Sequence, residues 1–249
     1  MIDSIKKNGL EFFNVNGFPS KKLENWKFTS SKNFKRFSKL SSVAKKQKID
    51  SDELSIVFIN GVLDKDSLEN FKFSDLLEIK NLNELNKKEL LYCSENFLNE
   101  SMFNLGMYEF ENGSYISFKK NSVIKEVINI KNYFFENGEN ERVSSFNIFH
   151  VNEGSEISII EEDIKEKKSI FTLKLNKFIC ENSSIFKYGK SFKDDSQTYS
   201  LSYNYYQIEK DVALRIDSMV KSSLFNKEFI EVDLNKVGSD AKINILNLG

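Results

Sequence analysis

The residues able to do chemistry are few and far apart. One histidine, His150, and two cysteines, Cys93 and Cys180, serve the whole chain of 249 residues. That spacing excludes a self-contained zinc or cysteine-rich cluster site of the usual pattern. His150 alternates with Phe146 and Ile148 along residues 145–151, so it reads as a strand histidine and not as a ligand. Cys93 and Cys180 read as small buried hydrophobes, and a disulfide between them is disfavoured inside a cell. Glu161-Glu162-Asp163 is the one acidic cluster that acid–base or calcium chemistry would want. Lys165, Lys167 and Lys168 follow at once, and the segment reads as a solvated loop of mixed charge. No phosphate-cradling loop, nucleophile elbow or dinucleotide fingerprint occurs. The chain is therefore expected to have no catalytic residue and to bind no metal or cofactor by itself.

A basic stretch offers a different chemistry. Lys32, Lys35, Arg36, Lys39, Lys45, Lys46 and Lys48 precede Asp50, with Phe34 and Phe37 interleaved. Charge and stacking rings together suit single-stranded nucleic acid. Against that, 36 basic residues meet 37 acidic ones for a net charge of −1, so the chain as a whole has no attraction for polyanions. A Lys-rich linker is the reading preferred here, with a nucleic-acid module through 32–48 as the alternative. The first residues lack an apolar signal core, and no run reaches the roughly 18 apolar residues of a membrane span. A cytoplasmic protein without membrane contact is expected.

The elements that must position these residues change character near residue 105. Up to residue 104, Leu10, Phe12, Phe13, Leu82, Leu85, Leu90, Leu91 and Phe97 suggest short helices. One strand, Ser55-Ile56-Val57-Phe58-Ile59, interrupts them and ends in an Asn60-Gly61 turn signal. Over residues 105–249 the period becomes two, with strands predicted at 114–118, 123–130, 146–151, 156–160, 171–175, 214–220, 229–234 and 241–246. A theme of strand end, acidic or Asn turn, Gly or Ser, and new strand recurs around positions 113, 154, 183 and 238. Such a corner suits a β-solenoid, because Gly and Asn tolerate positive φ. Spacings of 41, 29 and 55 residues are irregular, so an antiparallel β-sandwich stays open at this point. In a solenoid, Phe118, Ile128, Ile148, Ile159 and Leu173 are expected to point inward.

The only Trp and the only Pro lie in one short segment, Gly17-Phe18-Pro19 followed by Lys21-Lys22-Leu23-Glu24-Asn25-Trp26-Lys27-Phe28-Thr29. Pro19 breaks what precedes it, Ser20 can cap, and residues 22–28 read as a helical turn whose Trp26 anchors on an apolar surface. The order of residues, with Pro19, Glu24, Trp26, Lys27 and Thr29 as its motif, resembles the N-terminal signature of SufD, the SufB paralogue of the SufBCD iron–sulfur cluster assembly complex. The likeness continues in order through the strand ending at Asn60-Gly61, Phe103-Asn104-Leu105-Gly106, Gly113, and Val232-Asp233-Leu234-Asn235 with Gly238.

This resemblance implies a right-handed β-helix flanked by helical segments. It also implies a non-catalytic scaffold that pairs with a SufB-like partner and works with the ABC-type ATPase SufC. The iron–sulfur cluster would form at the partner interface. His150 does not match the family's cluster-interface motif, so no ligand residue carries over. Residues 242–248 read as a final strand without a cap, and the expectation is a chain lacking the later rungs and SufC-docking helices of the family. A β-helix carbohydrate-active enzyme is the second alternative.

Overall fold

The structure, a computed structural model, describes residues 2–40, 49, 51–94, 100–135, 138–165, 170–192, 198–221 and 224–248. Helix α1 (Ile2–Asn16) leads into β1 (Ser38–Lys39), β2 (Ser55–Ile59), β3 (Val62–Leu63) and β4 (Leu77–Asn81). Two helices follow, α2 (Lys87–Ser94) and α3 (Ser101–Glu109). Ten strands complete the order: β5 (Ser114–Phe118), β6 (Ile128–Phe134), β7 (Glu141–Val151), β8 (Glu156–Lys165), β9 (Ile170–Cys180), β10 (Ile185–Phe192), β11 (Tyr199–Ile208), β12 (Ala213–Lys221), β13 (Phe225–Asp233) and β14 (Asp240–Leu248).

From β5 onward the chain alternates between two sheets and advances one strand per turn. Sheet A runs β13-β11-β9-β7-β5-β4 with β1 on β7, and sheet B runs β14-β12-β10-β8-β6-β2-β3. Every pair among β5–β14 is parallel, and only the hairpin β2–β3 and the pair β4–β5 are antiparallel among the described strands. The molecule is a parallel β-solenoid of about four turns, and the antiparallel sandwich is excluded. The first strand element also belongs to it. β2 pairs in parallel with β6, and Asn60 and Gly61, at φ 48° and 80°, close its hairpin as the Asn-Gly signal predicts.

The corners explain the uneven spacing read from the sequence. Positive φ falls at Asn121, Gly154, Ser183, Asp211 and Gly238, at steps of 33, 29, 28 and 27 residues. The first four of these residues donate their backbone N–H to the next turn, as in Gly154 N to Asn182 O at 3.1 Å and Ser183 N to Lys210 O at 3.0 Å. The corner at Asp211 hides in Lys210-Asp211 without a glycine, because Asp also tolerates the left-handed region. Gly113 is not a corner at all. Its φ is not positive, and it is small because a Cβ there would sit 2.3 Å from Leu82 Cδ1 and 2.7 Å from Phe146 O.

Two apolar layers result. One fills the lumen between the sheets, with Phe118, Ile128, Ile159, Phe149, Phe178 and Tyr206 among its members. The other lies outside sheet A, where α1, α3 and the segment carrying Trp26, Phe34 and Phe37 cover Phe146, Ile148, Leu173 and Tyr203. All five residues expected inward are buried, but Ile148 and Leu173 point out of the lumen into this helical layer. Sheet A is covered on both faces, so its apolar residues occupy both alternations, and the pattern cannot tell the faces apart. Strand β11 is not among those the sequence predicts, because the first three of its inward residues, Ser200, Ser202 and Asn204, are polar and only Tyr206 and Ile208 are apolar.

Candidate functional site

The lumen is apolar only toward the tight corners. There Phe149, Phe178 and Tyr206 stack across β7, β9 and β11, with ring centroids 5.1 and 4.5 Å apart. Moving along the strands away from the corners, the same inward positions become polar. Asn147, Asn176 and Asn204 are in register across the three strands, as are Ser145, Lys174 and Ser202. Facing them on sheet B, Ile157 and Ile159 of β8 are continued inward by Glu161 and Asp163. The segment predicted as a solvated loop is therefore strand, and two of its three acids are buried at 3% exposure each. Its period of two ran on unbroken from Ile157, which was the signal available; the charged residue types obscured it. Lys167 and Lys168 lie outside the described residues.

These carboxylates are held across the lumen. Lys174 Nζ donates to Glu161 at 2.7 Å and to Asp163 at 2.6 Å, and Asn132 Nδ2 donates to the same pair at 2.7 and 3.0 Å. Tyr188 donates its hydroxyl to Glu161. One turn on, Lys190 Nζ reaches Ser202 at 2.8 Å and Glu228 at 3.0 Å, while Asn204 and Ser218 also donate to Glu228 at 2.7 and 2.8 Å. Burial pushes the Asp163 carboxyl up, but the ammonium groups of Lys174, Lys165 and Lys190 outweigh it and hold it below the usual range. Glu228 behaves alike, with burial opposed chiefly by Lys190. Burial, with Glu161 beside it, lifts the Tyr188 hydroxyl far above its ordinary value. Asp163 and Glu228 thus stay ionised and the Tyr188 phenol stays protonated near neutral pH, and the network ties sheet to sheet.

On the outer face of sheet A, His150 is a hydrogen-bonded strand histidine. Its Nδ1 lies 2.6 Å from the Tyr115 hydroxyl and its Nε2 lies 3.1 Å from Glu181 Oε1. The His150 contact comes first in keeping the Glu181 carboxyl below its ordinary range. Lys177 reaches the Tyr92 carbonyl at 3.0 Å, which seats α2 on the sheet. Cys93 lies buried in α2, its thiol pushed up to about 11 by burial, and Cys180 is buried in the lumen with its thiol raised further. Both are the small hydrophobes expected. Among the described residues no group of three His, Cys, Asp or Glu side chains could hold a metal ion.

The Trp motif forms a clasp at the edge of the helical layer. Pro19 is buried, Ser20 Oγ accepts from Lys22 N at 3.3 Å, and residues Glu24–Trp26 make a single 3₁₀ turn closed by Lys27 N to Glu24 O at 3.3 Å, with Thr29 N bonding Trp26 O at 2.9 Å just beyond it. Glu24 and Lys27 are exposed. Trp26 is 1% exposed, packed edge-on to Phe34 at 6.0 Å, and it donates Nε1 to Glu100 Oε1 at 3.0 Å. Glu100 also caps α3 by accepting from Met102 N and Phe103 N. The clasp is thus tied to the helix that packs on sheet A. A second tie is buried nearby, where Arg142 holds Glu109 with two bonds of 2.7 and 2.5 Å and donates to Phe37 O.

The remaining sequence candidates are not brought together. Lys32, Lys35, Arg36 and Lys39 are exposed around Phe34 and Phe37, which are buried and face the core instead of a ligand. Lys45, Lys46 and Lys48 lie outside the described residues, as does Phe97. On the outer face of sheet B, Ile160, Gly189, Met219, Asp217 and Asn244 line a groove of about 340 Å³. Its acid, Asp217, is held by Arg215 at 2.7 Å and Asn244 at 2.8 Å and kept below the usual carboxylate range by the Arg215 contact, so it is not placed to act as a general acid. No described helix is long and apolar enough to cross a membrane. Comparison with models of known protein families and with curated protein sequences finds no match.

Proposed function

We propose that this chain is a non-catalytic scaffold resembling SufD, which pairs with a SufB-like paralogue in the cytosol and works alongside a SufC-like ATPase. An iron–sulfur cluster is then the cargo, built where the two paralogues meet, and the chain alone binds none. The observation that carries the reading is the combination of a parallel β-solenoid with an N-terminal Trp26 clasp docked on its outer face. The ordered sequence resemblance implies a β-helix flanked by helical segments, and the buried Trp26 is the anchor its motif suggests. The charge pairing of Lys174 with Glu161 and Asp163 in the lumen and the raised thiol pKa values support a scaffold over an enzyme.

The test is co-expression with the SufB-like protein of the same genome, read by size exclusion and native mass spectrometry. A one-to-one complex with a dissociation constant of about 1 μM or tighter is expected. Absence of any complex at micromolar concentration counts against the reading.

A further inference from the structure

The Trp26 clasp bears a surface that neither the solenoid nor its proposed pairing uses. Phe12, Phe18, Pro19 and Leu23, with Glu100 and Ser101 at the rim, line a cavity of about 250 Å³. That is smaller than the roughly 300–1,000 Å³ of sites that enclose a small-molecule ligand, and it has the size and apolar walls of a socket for one large side chain. The same N-terminal segment leaves apolar groups in solvent. Phe28 is 91% exposed, Val15 85% and Leu23 51%.

The segment that supplies Phe18, Pro19 and Leu23 to the socket is strongly basic. Residues 12–36 contain Lys21, Lys22, Lys27, Lys32, Lys35 and Arg36 against the single acid Glu24, although the whole chain is balanced at −1. All seven are exposed. Lys35 Nζ stands 5.7 Å over the ring of Phe18 in the socket wall, and Lys27 Nζ stands 5.6 Å over Phe28. Glu100 does not offset this bias, because its carboxylate is taken up by Trp26 Nε1 and the first N–H groups of α3.

We propose that this face docks an acidic segment of a partner protein, which inserts one large apolar side chain into the socket while its carboxylates meet the surrounding lysines. The concave, proline-walled socket favours a peptide over the alternatives. A bilayer engages protruding surface and gains nothing from a pocket, and stacked bases need open ring faces, whereas Phe12 and Phe18 are built into the wall. Apolar anchoring supplies the affinity, and the basic rim supplies approach and orientation.

The experiment selects from a displayed library of random 16-residue peptides on the full chain, with Leu23→Glu as the counter-selection. Enriched peptides are expected to combine net negative charge with one large apolar residue. A synthetic consensus peptide should then lose about tenfold or more in affinity in three cases: with Leu23→Glu, with Lys21→Glu plus Lys22→Glu, and with its own anchor changed to Ala. It should also weaken as salt rises from about 0.05 to 0.5 M. All three protein positions are solvent-exposed, so the melting temperature serves as the folding control. No enrichment, peptides without acidic bias, or binding indifferent to Leu23→Glu would overturn the proposal. Binding of phosphatidylserine vesicles or of oligo-dT by this face, without peptide binding, would overturn it as well.

Discussion

Replacing Lys174 by Met should be among the most damaging single changes in the protein. The ammonium group sits between Glu161 and Asp163 at 2.7 and 2.6 Å, and the three side chains are 2–4% exposed. Methionine fills similar volume, so packing changes little and the effect isolates the charge. Two carboxylates are then left in the lumen, with the donors Asn132 and Tyr188 still in place but no cation between them. Stripping one partner from a buried pair costs about 3–5 kcal/mol, and two acids stranded together belong in the upper half of that range. With a urea m-value near 3 kcal/mol/M, the unfolding midpoint should fall by about 1.3–1.7 M, followed in parallel by Trp26 fluorescence and far-UV circular dichroism. Adding Glu161→Gln and Asp163→Asn removes the charges while keeping acceptors for the remaining donors, and should restore at least half of the loss.

The pH dependence supplies an independent sign. In the native protein the Asp163 pKa is depressed, so its stabilisation is present above the unfolded value of about 3.9 and is lost as pH falls below that. In the Lys174→Met variant only Lys165 and Lys190 oppose the burial of Asp163, its folded pKa rises above the unfolded one, and stability should increase as pH is lowered from 7 toward 5. A midpoint shift under about 0.3 M, or a variant that weakens between pH 7 and 5, would refute the account of the lumen as a charge-paired seam.

Two further outcomes follow from the outer face and the thiols. Trp26→Ala removes a fully buried indole and leaves Glu100 without that donor, so a loss of about 3–5 kcal/mol in urea unfolding is expected; an unchanged midpoint would mean the clasp is not a packing element. Neither thiol should react with a disulfide reagent in the folded protein at pH 7.5, since burial pushes Cys93 up to about 11 and Cys180 higher still, while both should react within minutes in denaturant. One thiol titrating rapidly in the native state would contradict the buried placement.

The strand-rich half, the Asn60-Gly61 hairpin and the anchoring of Trp26 were legible in the sequence, because each is decided within a few residues. Alternation sets a strand, αL-tolerant residues set a corner, and an indole beside a proline-broken turn seeks an apolar surface. The corners at Asn121 and Asp211 were less visible, since Asn and Asp occur as readily in ordinary loops as at positive φ. Nothing local distinguished Ile148 and Leu173 from lumen residues, because a sheet covered on both faces has no polar side to mark direction.

By itself the sequence determined a strand-rich chain with αL-tolerant corners and a Trp26 that seeks an apolar surface; the parallel stacking of its strands was decided by the tertiary structure, since the spacing left a sandwich open. Only the tertiary structure decided which charges lie inside. Glu161 and Asp163 look like surface acids until β9 brings Lys174 across the lumen and β6 brings Asn132 alongside. Whether a carboxylate is solvated or buried depends on partners from other strands, set by register between turns and not by its own neighbours in sequence.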